Sequence, residues 1–124
     1  MNAKRMKNQV TLITGGAGRI GSSFSKAIVR NSGKVIIGDI SKDRGMRLQE
    51  ELGAKNALFL ELDSTDIDSI KETIKLGKNE FGKIDSAVHC AYPTSSGWGR
   101  CFEEIQPEDL KQDLFSQLGG AILF

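Results

Sequence analysis

The stretch Thr14-Gly15-Gly16-Ala17-Gly18-Arg19-Ile20-Gly21 lies between two segments of different periodicity. Before it, Gln9-Val10-Thr11-Leu12-Ile13-Thr14 is a β-branched, apolar run that stops at the glycines, the pattern of a buried strand entering a turn. After it, Ile20, Phe24, Ala27 and Ile28 recur at helical spacing until Asn31-Ser32-Gly33 supplies a stop. A loop so placed gathers free backbone N–H groups and the positive end of a helix dipole at one spot, with little side chain in the way. A pyrophosphate needs those features: Gly15 permits the sharp turn, Gly18 a close approach of backbone to ligand, and Gly21 close packing of the helix on the sheet. A tight turn that uses glycine for geometry alone is the plainer reading of the same residues.

The rest of the chain repeats the alternation. Lys34 to Asp39 reads as a second buried strand ending on an acid, and Ser41 caps a helix carrying Met46, Leu48 and Leu52 before Gly53. Ala57 to Leu62 is a third apolar strand, followed by Asp63 and by Ser64 or Thr65 as the cap of a helix whose inner face is Ile67, Ile70 and Ile74. Phe81-Gly82 ends that helix, Ile84 to Cys90 makes a fourth strand, and Tyr92 to Gln106 is rich in turn residues. Pro107 with Glu108 and Asp109 opens a last helix, since proline suits the first helical position and acids its positive end. Apolar strands alternating with amphipathic helices imply right-handed crossovers and a parallel sheet covered on both faces. The fold class expected is α/β, a Rossmann-like doubly wound sheet of about four βα units in the order 3-2-1-4. Thr14, Asp39, Asp63 and Cys90 then lie at the carboxyl ends of the strands, where such sheets bind ligands.

Asp39 follows Gly21 by about 18 residues and ends the second strand, the position from which a carboxylate accepts hydrogen bonds from both adenosine ribose hydroxyls and repels a 2′-phosphate. That favours NAD over NADP. Arg19 pulls slightly the other way, because a guanidinium beside the loop can pair with either the pyrophosphate or a 2′-phosphate.

Composition excludes several other functions. A net charge of +1, with Lys and Arg interspersed among Asp and Glu, offers no basic face for nucleic acid, and the cluster Lys4, Arg5, Lys7 reads as a frayed, solvated terminus. No apolar run approaches the ~20 residues of a membrane span and no signal peptide is seen, so no membrane partner and a cytoplasmic location are expected. Cys90 and Cys101 form no C-x-x-C pair and read as free thiols; with one histidine, no metal site is expected. Asp63, Asp66 and Asp68 fit helix capping better than a calcium loop. Gly97-Trp98-Gly99 reads either as a flap over the nicotinamide or as an ordinary loop.

The glycine loop, Asp39, Asp63 with Asp66, Phe81-Gly82-Lys83-Ile84-Asp85 and the strand ending Cys90-Ala91 together resemble the short-chain dehydrogenase/reductase family, over essentially the whole chain. The resemblance implies one NAD-binding domain over residues 1–124, the N-terminal portion of a longer oxidoreductase. That enzyme moves hydride between nicotinamide and an alcohol or carbonyl of a small-molecule substrate, and it is a homo-oligomer at full length. It implies cofactor contacts at Thr14, Gly15, Gly18, Arg19, Ile20, Gly21, Asp39 and Ile40, with Asp63 and the Ser64 backbone at the adenine. The segment after strand four, usually Asn-Asn-Ala-Gly, here reads His89-Cys90-Ala91-Tyr92 and places Cys90, Ala91 and Tyr92 beside the riboses. The glycine spacing, with Arg19 where single-domain members carry glycine, resembles the extended members. The Gly-Arg-Ile-Gly loop with Cys90-Ala91-Tyr92-Pro93 is similar to oxidoreductases of bacterial flagellin modification and sugar biosynthesis.

The family's Ser and Tyr-x-x-x-Lys have no counterpart here: Tyr92 has Ser96 at i+4, and Gln117 falls where the family carries a helix Asn. No catalytic residue is therefore assigned within the chain. Two other functions fit the same residues, a non-catalytic dinucleotide-binding regulatory protein and a sugar-nucleotide epimerase or dehydratase with tightly held NAD. A fourth strand without an outer neighbour, and the apolar end Leu118 to Phe124, make the 124-residue chain a candidate for self-association.

Overall fold

The computed structural model describes residues 5–124, so Lys4 of the basic cluster lies outside the described residues, while Arg5 and Lys7 are exposed. The elements are β1 (Val10–Thr14), α1 (Arg19–Arg30), β2 (Lys34–Asp39), α2 (Lys42–Leu52), β3 (Ala57–Glu61), α3 (Ile67–Phe81), β4 (Ser86–His89) and α4 (Pro107–Leu114). A π-helical stretch, Phe115–Gly119, carries α4 into α5 (Gly120–Leu123). All strand pairs are parallel and the order is β3-β2-β1-β4.

The central strands are apolar throughout because helices cover both faces of the sheet. Alternate residues of β1 and β2 serve opposite layers. Ile13, Val35 and Ile37 pack with Ile28 of α1 and Leu48 of α2, while Val10, Leu12 and Ile36 pack with Ile74, Phe81, Ile84 and Phe124. The register pairs Leu12 with Ile36 and Ala87, and Ile13 with Ile37 and Val88, so β1 is flanked on both sides up to the site end. Asp85 fastens β4 to β1: its carboxylate accepts from the Val10 amide at 2.8 Å and pairs with Lys83 at 2.9 Å.

Several helix faces and ends differ from the expectation. In α1 the residues facing the sheet are Gly21, Ser25 and Ile28, while Ile20, Phe24 and Ala27 turn outward. The helix lies so close to the glycine loop that small residues fill the contact; Ser25 Oγ sits 3.0 Å from the Gly21 carbonyl and 3.3 Å from that of Gly16. In α3 the inner face is Ile70, Thr73 and Gly77 with half-buried Ile74, and Ile67 is exposed; Met46 of α2 is exposed as well. The cap of α3 is Asp66, whose carboxylate accepts from the Asp68 and Ser69 amides, in place of Ser64 or Thr65. Ser41 holds the N-cap position of α2 without a side-chain cap bond. β3 stops one residue earlier than expected, and β4 covers only the middle of Ile84 to Cys90.

β4 is an edge strand, its Ser86 and Ala87 exposed. The last helical run presents Leu110, Leu114, Phe115, Leu118 and Ile122 outward, the last with 75% of its surface accessible. Exposed apolar side chains in such number, together with an edge strand, drive association. The 124-residue chain is expected to sediment as a concentration-dependent mixture of oligomers, and a single monodisperse monomer across that range would show the surface to be inert.

Candidate functional site

Thr14 ends β1 fully buried and organises the floor of the site. Its carbonyl accepts from the Cys90 amide at 3.0 Å. Its Oγ1 is within 3.2 Å of the Cys90 amide and 3.3 Å of the Ala91 amide, and 2.7 Å from His89 Nδ1. A hydroxyl that accepts from backbone N–H groups has its own hydrogen left to donate, so Nδ1 is the acceptor and neutral His89 carries its proton on Nε2. That Nε2 is buried with no partner among the described residues, and the ring lies tilted against Phe124 at 5.8 Å between centroids. Burial pushes the His89 pKa below its usual value.

The glycine loop rests directly on the Cys90-Ala91 segment. Gly15 has φ +60°, and a Cβ there would come within 2.8 Å of the Ala91 nitrogen. A Cβ on Gly21 would overlap the Gly15 carbonyl, so α1 begins as close to the loop as two backbones allow. The loop thereby leaves a side-chain-free cradle at the helix N-terminus, with Gly18 as N-cap and no acid in the first turn to compete for an anion.

Asp39 meets the loop from β2. It is 4% exposed; Oδ2 accepts from the Ala17 amide at 3.0 Å and Oδ1 from the Ser41 amide at 2.9 Å. The carboxylate is thus held in one orientation by two fixed donors, one in the glycine loop and one at the start of α2. The Arg44 guanidinium stands 3.7 Å from Oδ1, its side chain largely exposed.

Between these groups lies a cleft of about 430 Å³ at the carboxyl ends of the strands. It brings together Gly15, Gly18, Asp39, Ile40, Asp63, Ser64, Cys90, Ala91 and Tyr92 of the residues singled out from the sequence. Thr14 and Gly21 lie beneath it, and Arg19 and Ile20 line a separate groove along α1 with Ser23, Phe24 and Ala27. The cleft also includes Arg44, Leu62, Thr65, Pro93 and Ser116, which the sequence reading missed. Arg44 carried a signal there: it is a cation in the first turn of the helix that follows Asp39. Asp63 Oδ1 accepts from the Thr65 amide and hydroxyl at 2.8 and 2.7 Å, which fixes that carboxylate as well. Ser64 is buried, with Gly120 of α5 packed against it.

The far wall is a loop tied to α4. Asp113 accepts from the Ser95 amide and hydroxyl, Asp109 pairs with Arg100 at 3.1 Å, and Gly97 lies against the Asp109 carboxylate with no room for a side chain. Gln117, inside the π-helical stretch, donates to the Pro93 carbonyl at 3.2 Å. Trp98 stands edge-on to Tyr92 at 5.5 Å. This loop is anchored at both Asp109 and Asp113, which favours a wall over a freely closing flap. Both cysteines are free, and burial pushes the Cys90 thiol up, so it stays protonated and weakly nucleophilic at neutral pH. Among the described residues no three His, Cys, Asp or Glu side chains converge as for a metal, and no helix is long and apolar enough to cross a membrane.

Comparison with known proteins agrees with this architecture. The family profile described as short chain dehydrogenase matches residues 9–121. Post-translational flagellin modification protein A of Campylobacter coli is 33% identical over 122 residues, covering 95% of this chain and 48% of that protein. Tropinone reductase-like 1 of Erythroxylum coca is 31% identical, covering 97% of this chain and 44% of that one. The crystal structure of a short-chain dehydrogenase/reductase, glucose/ribitol dehydrogenase, from Brucella melitensis superposes with a TM-score of 0.82 at 20% identity. It is matched over 95% of this chain and 49% of its own. The chain thus spans about half the length of the relatives it matches over nearly its whole extent.

The Thr14–His89 contact has a pH signature. His89 is the single histidine. The unfolded chain takes up its proton near pH 6.5, the folded chain only at lower pH because burial disfavours the charge. Below pH 6.5 the unfolded state holds the extra proton, so stability falls as pH drops from about 7 toward 5.5 and is level above that range. The carboxyl of Asp85, held below its usual value by Lys83 and by the Val10 amide, acts in a separate window below pH 3.8. Thermal melts should show the midpoint falling between about pH 7.5 and 5.5 in wild type and a flatter profile in His89→Gln. Equal slopes in the two proteins would mean that His89 is not the group responsible.

Proposed function

This chain belongs to the short-chain dehydrogenase family, and on that premise we propose that it holds NAD(H) across the cleft between the glycine loop, Asp39 and Asp63. The observation that carries this reading is Asp39. A carboxylate that is buried, fixed by two amides and set at the end of β2 facing a glycine loop is preorganised to accept from the vicinal hydroxyls of a ribose. Its charge opposes a 2′-phosphate, which favours NAD. The glycine cradle fits the pyrophosphate, since any Cβ at Gly15 or Gly21 would collide with backbone. Asp63, with one oxygen occupied by Thr65, presents the other to an adenine amino group, and Ile40 and Leu62 supply apolar walls. Cys90, Ala91 and Tyr92 line the way toward the nicotinamide end. Arg19 and Ile20, at the first turn of α1, line the neighbouring groove and would meet the pyrophosphate from there.

The cofactor supplies hydride chemistry at its nicotinamide; the residues of this chain bind and orient it. The whole protein is proposed to be an oxidoreductase acting between nicotinamide and an alcohol or carbonyl, homo-oligomeric and cytoplasmic. A sugar or sugar-nucleotide is the substrate class that the resemblance of the Gly-Arg-Ile-Gly loop and Cys90-Ala91-Tyr92-Pro93 to sugar-biosynthesis oxidoreductases supports.

Calorimetric titration of NADH and NADPH into wild type and Asp39→Ala tests this. NADH should bind more tightly than NADPH, and loss of two charge-assisted hydrogen bonds should weaken NADH by about tenfold to a hundredfold. Wild type that binds neither nucleotide, or a variant that binds NADH as well as wild type, would overturn the reading.

A further inference from the structure

We propose that Tyr92 and Trp98 form an aromatic notch at the mouth of the cleft that takes the pyranose ring of a sugar substrate. The inference rests on the oxidoreductase reading above and adds to it the residues that would hold the substrate.

Tyr92 lines the cleft beside Ala91 and Pro93, and Trp98 stands edge-on to it, with ring centroids 5.5 Å apart and planes at 84°. They are the chain's one tyrosine and one tryptophan. Two rings at nearly a right angle make a corner, one a floor and the other a wall. Tyr92 has 61% and Trp98 53% of its surface accessible, although side chains of this size are those that a fold gains most by covering. The backbone that carries them is not a free segment. Asp113 holds Ser95 by amide and hydroxyl, Asp109 holds Arg100 with Gly97 packed on its carboxylate, and Gln117 donates to the Pro93 carbonyl. A loop pinned on both sides of two exposed rings is preorganised to offer their faces to a ligand.

What surrounds the rings selects the ligand. An aromatic face is electron-rich and attracts the polarised C–H bonds of a saturated ring. A pyranose carries such bonds on its flat faces and hydroxyls around its rim. The rim meets the phenol of Tyr92, the indole N–H of Trp98 and the hydroxyls of Thr94 and Ser96, both exposed on the chain between the two rings. A wholly apolar ligand would cover these polar groups without giving them partners, and an open-chain polyol would offer the rings no face. The notch adjoins Cys90 and Ala91, the end of the cleft assigned above to the nicotinamide, so a sugar held there borders the reacting half of the cofactor.

The test is calorimetry and saturation-transfer NMR with methyl β-D-glucopyranoside, whose substituents are all equatorial so that both ring faces are C–H. Cyclohexanol, which lacks the hydroxyl rim, and sorbitol, which lacks the ring, are the controls, and NADH is titrated in parallel. Wild type should bind the glycoside in the millimolar range, at least about fivefold more tightly than either control, with saturation reaching its ring C–H protons. Trp98→Ala should weaken the glycoside about threefold to tenfold and NADH less than about twofold. Trp98→Phe should restore most of that loss and Trp98→Leu none of it. Should Trp98→Ala fail to melt cooperatively, the comparison of Phe with Leu decides. Cyclohexanol bound as tightly as the glycoside, Leu as effective as Phe, or glycoside and NADH lost together in a cooperatively melting variant would overturn the notch. Trp98 emission that follows protein concentration and not glycoside would also overturn it, assigning the rings to contact between copies. NADH binding without glycoside binding would overturn the notch and leave the cofactor site standing. Failure of wild type to bind NADH would remove the reading beneath, and the substrate role with it.

Discussion

Everything above the sheet depends on how closely the chain can fold back on itself between β1 and α1. The first turn of α1 presses on the Gly15 carbonyl at Gly21, and Gly15 presses on the backbone of Cys90 and Ala91. Two successive contacts with no intervening side chain put the N-terminus of a helix, the turn and the end of β4 into one layer. A Cβ at Gly21 would lift α1 off the loop and one at Gly15 would lift the loop off Cys90 and Ala91, and in either case the amides that define the cradle would no longer converge.

Asp39 then locks that layer laterally. By accepting from Ala17 and Ser41 it ties the glycine loop to the start of α2, so the same carboxylate that faces the cleft is also a structural clasp. Such a group is held in one orientation by the fold itself, in a buried position. Thr14 does the equivalent on the other side, its hydroxyl satisfying two amides of the β4 exit while fixing the His89 tautomer. The cleft is framed by two polar residues at the ends of neighbouring strands, each bonded to backbone of an adjacent segment.

Much of this was legible in the sequence. Continuous apolar runs at Val10–Thr14 and Lys34–Asp39 identify strands buried on both faces, and their alternation with helices leads to the observed strand order. The acids at strand ends were legible because a charge that closes an apolar run has to find donors. The inner face of α1 was not. Ile20, Phe24, Ala27 and Ile28 recur at helical spacing, and so do Gly21, Ser25 and Ile28; a hydrophobicity rule selects the first set, of which only Ile28 is buried. Packing selects the second, since the helix approaches the loop too closely for large side chains. Similar competition misplaced the cap of α3: Ser64, Thr65 and Asp66 are all capping residues, and they are separated by the burial of Ser64 against Gly120 and by the Thr65 hydroxyl being given to Asp63, which leaves Asp66 to accept from the helix amides. The π-helical stretch at Phe115–Gly119 leaves no mark in composition.

The pairing of β1 with β4 has a kinetic meaning. Thr14 and His89 are 75 residues apart in sequence, and the hydroxyl–imidazole contact between them closes the floor of the cleft. The β1–β2 ladder joins segments much nearer in the chain, so loop-closure entropy favours its earlier formation. The cleft is accordingly a late product of folding, absent from any partly folded species in which β4 has not docked. A ligand that recognises it draws the population through that last step, and its occupancy becomes a reporter of completed folding.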